Sequence, residues 1–120
     1  MEEKLIEALS VLDIPVFNLR GNESLPENIV YKASEVVNSY IDNEEDLIEY
    51  RITVVLFIRG GLKRKRDAIK KSLKEHGFLL SYKTPPPLIS DRTDIIQQAI
   101  ECRYYESVQL DNINTEGEWY

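Results

Sequence analysis

The sequence predicts one α+β domain: a mostly antiparallel four-stranded sheet with two helices packed on one face. Three observations carry that prediction. In the run YRITVVLFIR, residues 50–59, Tyr50, Ile52, Val54, Leu56 and Ile58 alternate with Arg51, Thr53, Val55 and Phe57, the period of two of a half-buried strand. Two other stretches place apolar residues at helical spacing, Leu5, Leu9 and Leu12 in one and Leu62, Ile69 and Leu73 in the other. The elements follow in the order helix, strand, strand, helix, strand, strand.

The first helix is expected over residues 2–12, with Glu2, Glu3 and Glu7 near its positive N-terminal end. Pro15 ends it, IPVF reads as extended, and residues 18–28 form a loop with Gly21, Asn22, Ser24 and Pro26. IVYKAS, residues 29–34, is β-branched and aromatic, and the acidic segment IDNEEDLIE separates it from the long strand. In that strand the Tyr50 to Ile58 set is the core face. The other set turns apolar at Val55 and Phe57, which are expected to lie under another element or another subunit.

Gly60-Gly61 breaks the strand. A helix of about 12 to 15 residues follows, with His76 beside its exposed carbonyls and Gly77 as a left-handed cap. FLLSYK, residues 78–83, reads as a strand, TPPPLISDRTD as a Pro-rich excursion, and AIECRYYESV, residues 99–108, as the last strand, with Ile100, Cys102 and Tyr104 on one side. Residues 1–110 are expected to form the domain. The acidic tail DNINTEGEWY, residues 111–120, is expected to be mobile in an isolated subunit.

A 120-residue chain that is 42% hydrophobic and 30% charged has ordinary globular composition with room for one core. The longest strongly apolar stretch, residues 52–58, is far short of the roughly 20 residues that cross a bilayer. The start MEEKLIEALS is acidic, unlike a signal peptide, so a cytoplasmic chain without membrane contact is expected. With Cys102 alone there is neither an internal disulfide nor a cysteine metal site.

The net charge is -6, yet seven of the 15 Lys+Arg fall between Gly60 and Gly77. Setting aside those seven, with Asp67 and Glu75, leaves 8 Lys+Arg against 19 acids. One basic face on an acidic body can bind a second copy head to tail, giving rings or filaments. Lys63, Arg64, Lys65 and Arg66 would fill the first turns of a helix starting near Leu62, where the macrodipole disfavours cations. Either the helix starts later, with Asp67 as N-cap, or an anionic partner lies opposite. A solvated face, an acidic protein partner and nucleic acid are the three readings of the run. The last is weakened by the acidic pI and by the absence of aromatics over residues 59–77.

Enzymatic readings find no support. Gly60-Gly61-Leu62-Lys63 fits neither the P-loop nor the dinucleotide fingerprint. The acids from Asp42 to Asp46 lack the EF-hand's Gly and final Glu, since Leu47 and Thr53 stand there. Cys102 reads as a buried thiol and His76 as a helix cap rather than as a nucleophile pair. No catalytic residue, cofactor or metal site is expected.

The whole pattern resembles the tail-completion proteins of long-tailed bacteriophages, also called tail-to-head joining or tail-terminator proteins. The resemblance covers about residues 3–108 and lies in the order of LDIPVF, NIVYKAS, DNEED, EYRITVVLFIR, KRKRDAIKKSLKEHGF and IIQQAIECRYYE. It implies an α/β virion subunit, without catalysis, that forms a ring of typically six copies between the tail-tube protein and the head-connector proteins, with DNA passing through. Such a chain would reside in the virion at the head-tail interface, and in host cytoplasm during assembly. Lys63, Arg64, Lys65, Arg66, Lys70 and Lys71 are then the expected subunit or partner interface, and reversing Lys65 and Arg66 to Glu is expected to abolish assembly while the monomer stays folded. The alternative is a small nucleic-acid-binding regulatory protein using the basic helix 62–76.

Overall fold

Alternation and helical spacing place the chain's apolar side chains on one side of each element, and those sides meet. The computed structural model describes residues 1–21, 25–37, 45–90 and 94–109. Helix α1 is Glu2–Leu9, followed by a 3-10 turn over Ser10–Leu12 that ends on Asp13 in the left-handed region (φ 58). Strands β1 (Val16–Asn18), β2 (Asn28–Val37) and β3 (Glu45–Ile58) precede helix α2 (Leu62–Glu75), and β4 (Leu79–Leu80), β5 (Leu88–Ile89) and β6 (Ile96–Gln109) follow it.

The fold is α+β, but the sheet has six strands, not four, and is mixed. Its order is β1-β2-β3-β6-β4, with β5 also on β6. The antiparallel ladders β2–β3 and β3–β6 form the body, and β1 joins β2 in parallel. Ile29 N–H donates to Pro15 O (2.8 Å) and Leu19 N–H to Tyr31 O (2.9 Å), which ties β1 on. Of FLLSYK only Leu79–Leu80 is strand; Ser81 N–H still reaches Glu101 O (2.9 Å) before the chain leaves with Tyr82 exposed. The Pro-rich excursion pairs with the sheet at Leu88–Ile89 and its Pro85 O accepts from Gln98 Nε2 of β6 (2.8 Å), but Pro85, Pro86 and Pro87 have no N–H to give a ladder. The acidic turn lies largely outside the described residues, although the backbone of Glu45 and Asp46 already belongs to β3, opposite Gln109 and Val108. The tail 111–120 lies wholly outside them.

Both helices bury their stripes on the Tyr50 to Ile58 face. Leu5, Ala8 and Leu9 of α1 and Ile69 and Leu73 of α2 join Ile29, Tyr31, Ile52, Val54, Leu56, Ile58, Ile100 and Cys102 in one core. Ser72 Oγ donates to Ala8 O (2.8 Å), a buried bond that locks helix to helix. The end of α2 is a Schellman cap: Gly77 is left-handed (φ 89), its N–H reaches Lys74 O, and Phe78 N–H reaches Leu73 O. Phe78 then enters the core beside Tyr104, ring centroids 4.9 Å apart.

On the other face the chain near Gly21 presses onto Asn28 and Val30. A Cβ at Gly21 would stand 2.3 Å from Asn28 Oδ1 and 2.9 Å from a Val30 methyl, so only glycine permits that approach. Val55 and Phe57, in register with Val30 and Asn28, are half-buried within the lone chain. At 14 residues each, β3 and β6 are about 46 Å long, whereas the 14 residues of α2 cover about 21 Å. The sheet therefore outruns the helices, and Ala33 and Glu35 of β2 are exposed on what is elsewhere the core face.

Candidate functional site

The basic helix starts at Leu62, with left-handed Gly61 (φ 67) as an N-cap that offers no side-chain bond and Lys65 N–H donating to Gly61 O (2.9 Å). A late start at Asp67 is thereby overturned. The anion that the cationic first turn calls for comes from the chain itself. Glu27, just before β2, accepts Arg59 N–H (2.9 Å) and Lys65 Nζ (2.7 Å) on one carboxylate oxygen.

The six expected interface residues divide into two groups. Lys65, Arg66 and Lys70 are half-buried against their own chain: Lys65 on Glu27, Lys70 Nζ on Thr84 Oγ1 (2.6 Å), and Arg66 with its Nε 3.7 Å from Asp67 Oδ1. Lys63, Arg64 and Lys71 are exposed, Lys63 with a loose ion pair to Asp67 at 3.4 Å.

Burial acts to raise the Glu27 pKa, but the Lys65 bond, the Arg59 N–H and both positive charges together hold it below the ordinary 4.5. The unfolded chain then binds the proton more readily, so this pair's stabilisation is complete above the ordinary value and is lost as pH falls through the folded-state one. Glu27→Gln is expected to cost about 1–2 kcal/mol at pH 7. Urea midpoints of the two proteins should converge as pH is lowered below 4.5; a gap that stays constant to pH 3 would assign the loss to packing rather than charge.

A second feature is the pair of sheet edges. On β2 the groups of Ile29 and Tyr31 point outward to β1, so by alternation Ala33, Glu35 and Val37 also point outward, beyond the end of β1. On β6 Glu101 points outward to Ser81, so Tyr105, Ser107 and Gln109 do the same beyond β4. Among the described residues no strand pairs with either stretch. Both free edges lie at the same end of the sheet and on opposite sides of it.

The third feature is a groove of about 600 Å³ on the face away from the helices, with Arg51 and Arg103 on its floor and Leu79 and Tyr82 at its rim. Glu49, only 5% exposed, holds both arginines: its Oε2 lies 2.9 Å from Arg51 Nε and 3.6 Å from Arg103 Nε.

Cys102 and His76 stand where the sequence reading puts them. Burial pushes the Cys102 thiol up to about 12, far from a nucleophile's range, and His76 Nδ1 lies 2.8 Å from Ser72 O at the end of α2. Among the described residues no cluster of His, Cys, Asp and Glu could hold a metal ion, and no helix is long and apolar enough to cross a membrane.

No protein-family model and no curated protein matches the chain. Its function is therefore argued from the residues themselves. Sequence reasoning misses Glu27, which follows Pro26 in what reads as a plain loop, because no spacing rule links position 27 to position 65. It also misses the Glu49 cluster: a carboxylate in an acidic segment reads as solvated until the register sets Arg51 across from Arg103.

Proposed function

We propose that this chain is a non-enzymatic structural subunit of a phage tail. Copies of it form a ring, a hexamer in the family it resembles, that completes the head-proximal end of the tail between the tail-tube protein and the head connector. The observation that carries the reading is the pair of free sheet edges. Strands β2 and β6 are both antiparallel to β3 and so parallel to each other. A copy related by rotation brings its β2 edge alongside β6 in parallel orientation, and a repeated rotation closes a ring in which neither of these two stretches is left unpaired. Such a contact is heterologous, as the separated charges of the chain also favour. The outward cations Lys63, Arg64 and Lys71 are exposed and can meet an acidic surface on an adjoining ring, while Lys65 and Lys70 tie the helix to Glu27 and Thr84.

Sequencing the DNA that flanks the gene tests the role. Portal or capsid genes on one side and a tail-tube or tape-measure gene on the other are the expected neighbours. Metabolic or regulatory neighbours would overturn the virion reading and turn attention to duplex DNA binding by residues 62–76, recognisable by a steep fall of affinity with salt.

A further inference from the structure

Arg51 and Arg103 occupy directly opposed positions on β3 and β6, where like charges destabilise a ladder. One carboxylate, Glu49, lies between them: it accepts Arg51 Nε–H at 2.9 Å, and Arg103 Nε stands 3.6 Å away as an ion pair. The Arg51 bond orients its guanidinium group, Arg103 is held by charge, and the two side chains remain 58% and 57% exposed. Lys32, exposed on the same face one row away, adds a third cation, and Glu101, also exposed, adds a second acid without an ion pair to either arginine among the described residues. Counted with Lys32, which stands outside the groove lining, these five charges sum to one positive on a chain of net charge -6. Its rim is apolar and aromatic: Leu79 is 58% exposed, Tyr82 91% and Tyr105 39%. Two guanidinium forks sharing one carboxylate, beside apolar surface, suit a second carboxylate followed by an aromatic side chain.

The stretch Asp111–Tyr120 offers that chemistry: three acids, no Lys or Arg, and Glu118 directly before Trp119 and Tyr120. We propose that the Arg51–Arg103 notch is a docking site for the Glu118 carboxylate of the chain's own C-terminal stretch, with Trp119 covering Leu79 and Tyr105. The reach suffices. Gln109 lies six residues beyond Arg103 on β6, about 20 Å, and the nine residues from Gln109 to Glu118 span up to about 30 Å when extended.

Trp119 is the only tryptophan, so its fluorescence in the full chain reports the docking directly. Emission is expected to be blue-shifted and protected from acrylamide, independent of protein concentration, and the protection should be lost in Arg103→Gln and in Glu118→Gln. Arg103→Lys, which keeps the charge without the fork, should restore part of it. Glu118→Gln changes no side chain of the described fold, so its result stands even if Arg103→Gln is misfolded by circular dichroism. Fully quenchable emission in the wild type would overturn the docking, and so would protection that survives Glu118→Gln. Protection that appears only as concentration rises would place a second copy's tail in the notch and overturn the intramolecular site.

Discussion

Lys65→Glu is expected to destabilise the lone subunit by about 2–4 kcal/mol, between the small worth of an exposed ion pair and the 3–5 kcal/mol lost when a fully buried pair is broken. The Lys65 and Glu27 side chains are 14% and 26% exposed, and Nζ stands 2.7 Å from the carboxylate. A glutamate there would set two carboxylates against each other at the start of α2, while Glu27 also holds Arg59 N–H. Urea unfolding at pH 7 measures the loss; a midpoint equal to wild type would mean that Glu27 swings out and finds water at no cost. The charge reversal that the sequence suggests for the interface, at Lys65 and Arg66, is therefore not a clean test of assembly, because it attacks the fold first. Arg64→Glu and Lys71→Glu reverse exposed charges and should stay within about 0.5 kcal/mol of wild type, so an assembly defect in them would belong to the interface alone.

The same division separates what is legible in the sequence from what is not. The core face of β3, the stripe of α2, the cap at Gly77 and the inward Cys102 are periodic or local signals, each fixed by residues within one or two turns of each other. β1 and β5 span three and two residues, too short for alternation to register, and they exist because neighbours with free edges accept them. The basic run illustrates the gap best. Its residues and helix are readable, but whether a cation faces water or a carboxylate depends on where residues 27 and 84 come to lie, which is a property of the fold. Glu49 repeats the lesson: its two arginines belong to different strands, and only the β3–β6 register brings them to one carboxylate oxygen.

Glu35→Pro is expected to abolish ring formation while leaving the subunit folded. Proline removes the one N–H that Glu35 can offer and places a ring where a neighbouring strand must approach. That N–H points away from β3, on the same side as those of Ile29 and Tyr31, and proline is tolerated in a strand only where its nitrogen faces outward. Ser34→Pro, one residue earlier, supplies the contrast. Its nitrogen faces β3, opposite Arg51, so the substitution breaks the β2–β3 ladder and should cost more than about 1 kcal/mol from the lost bond alone. Urea midpoints should therefore separate the two prolines, with Glu35→Pro close to wild type. Sedimentation velocity and electron microscopy should then show rings of wild-type chain under conditions where Glu35→Pro stays monomeric. Rings of Glu35→Pro identical to wild type would remove the β2 edge from the assembly and shift the subunit contact to the exposed cations of α2.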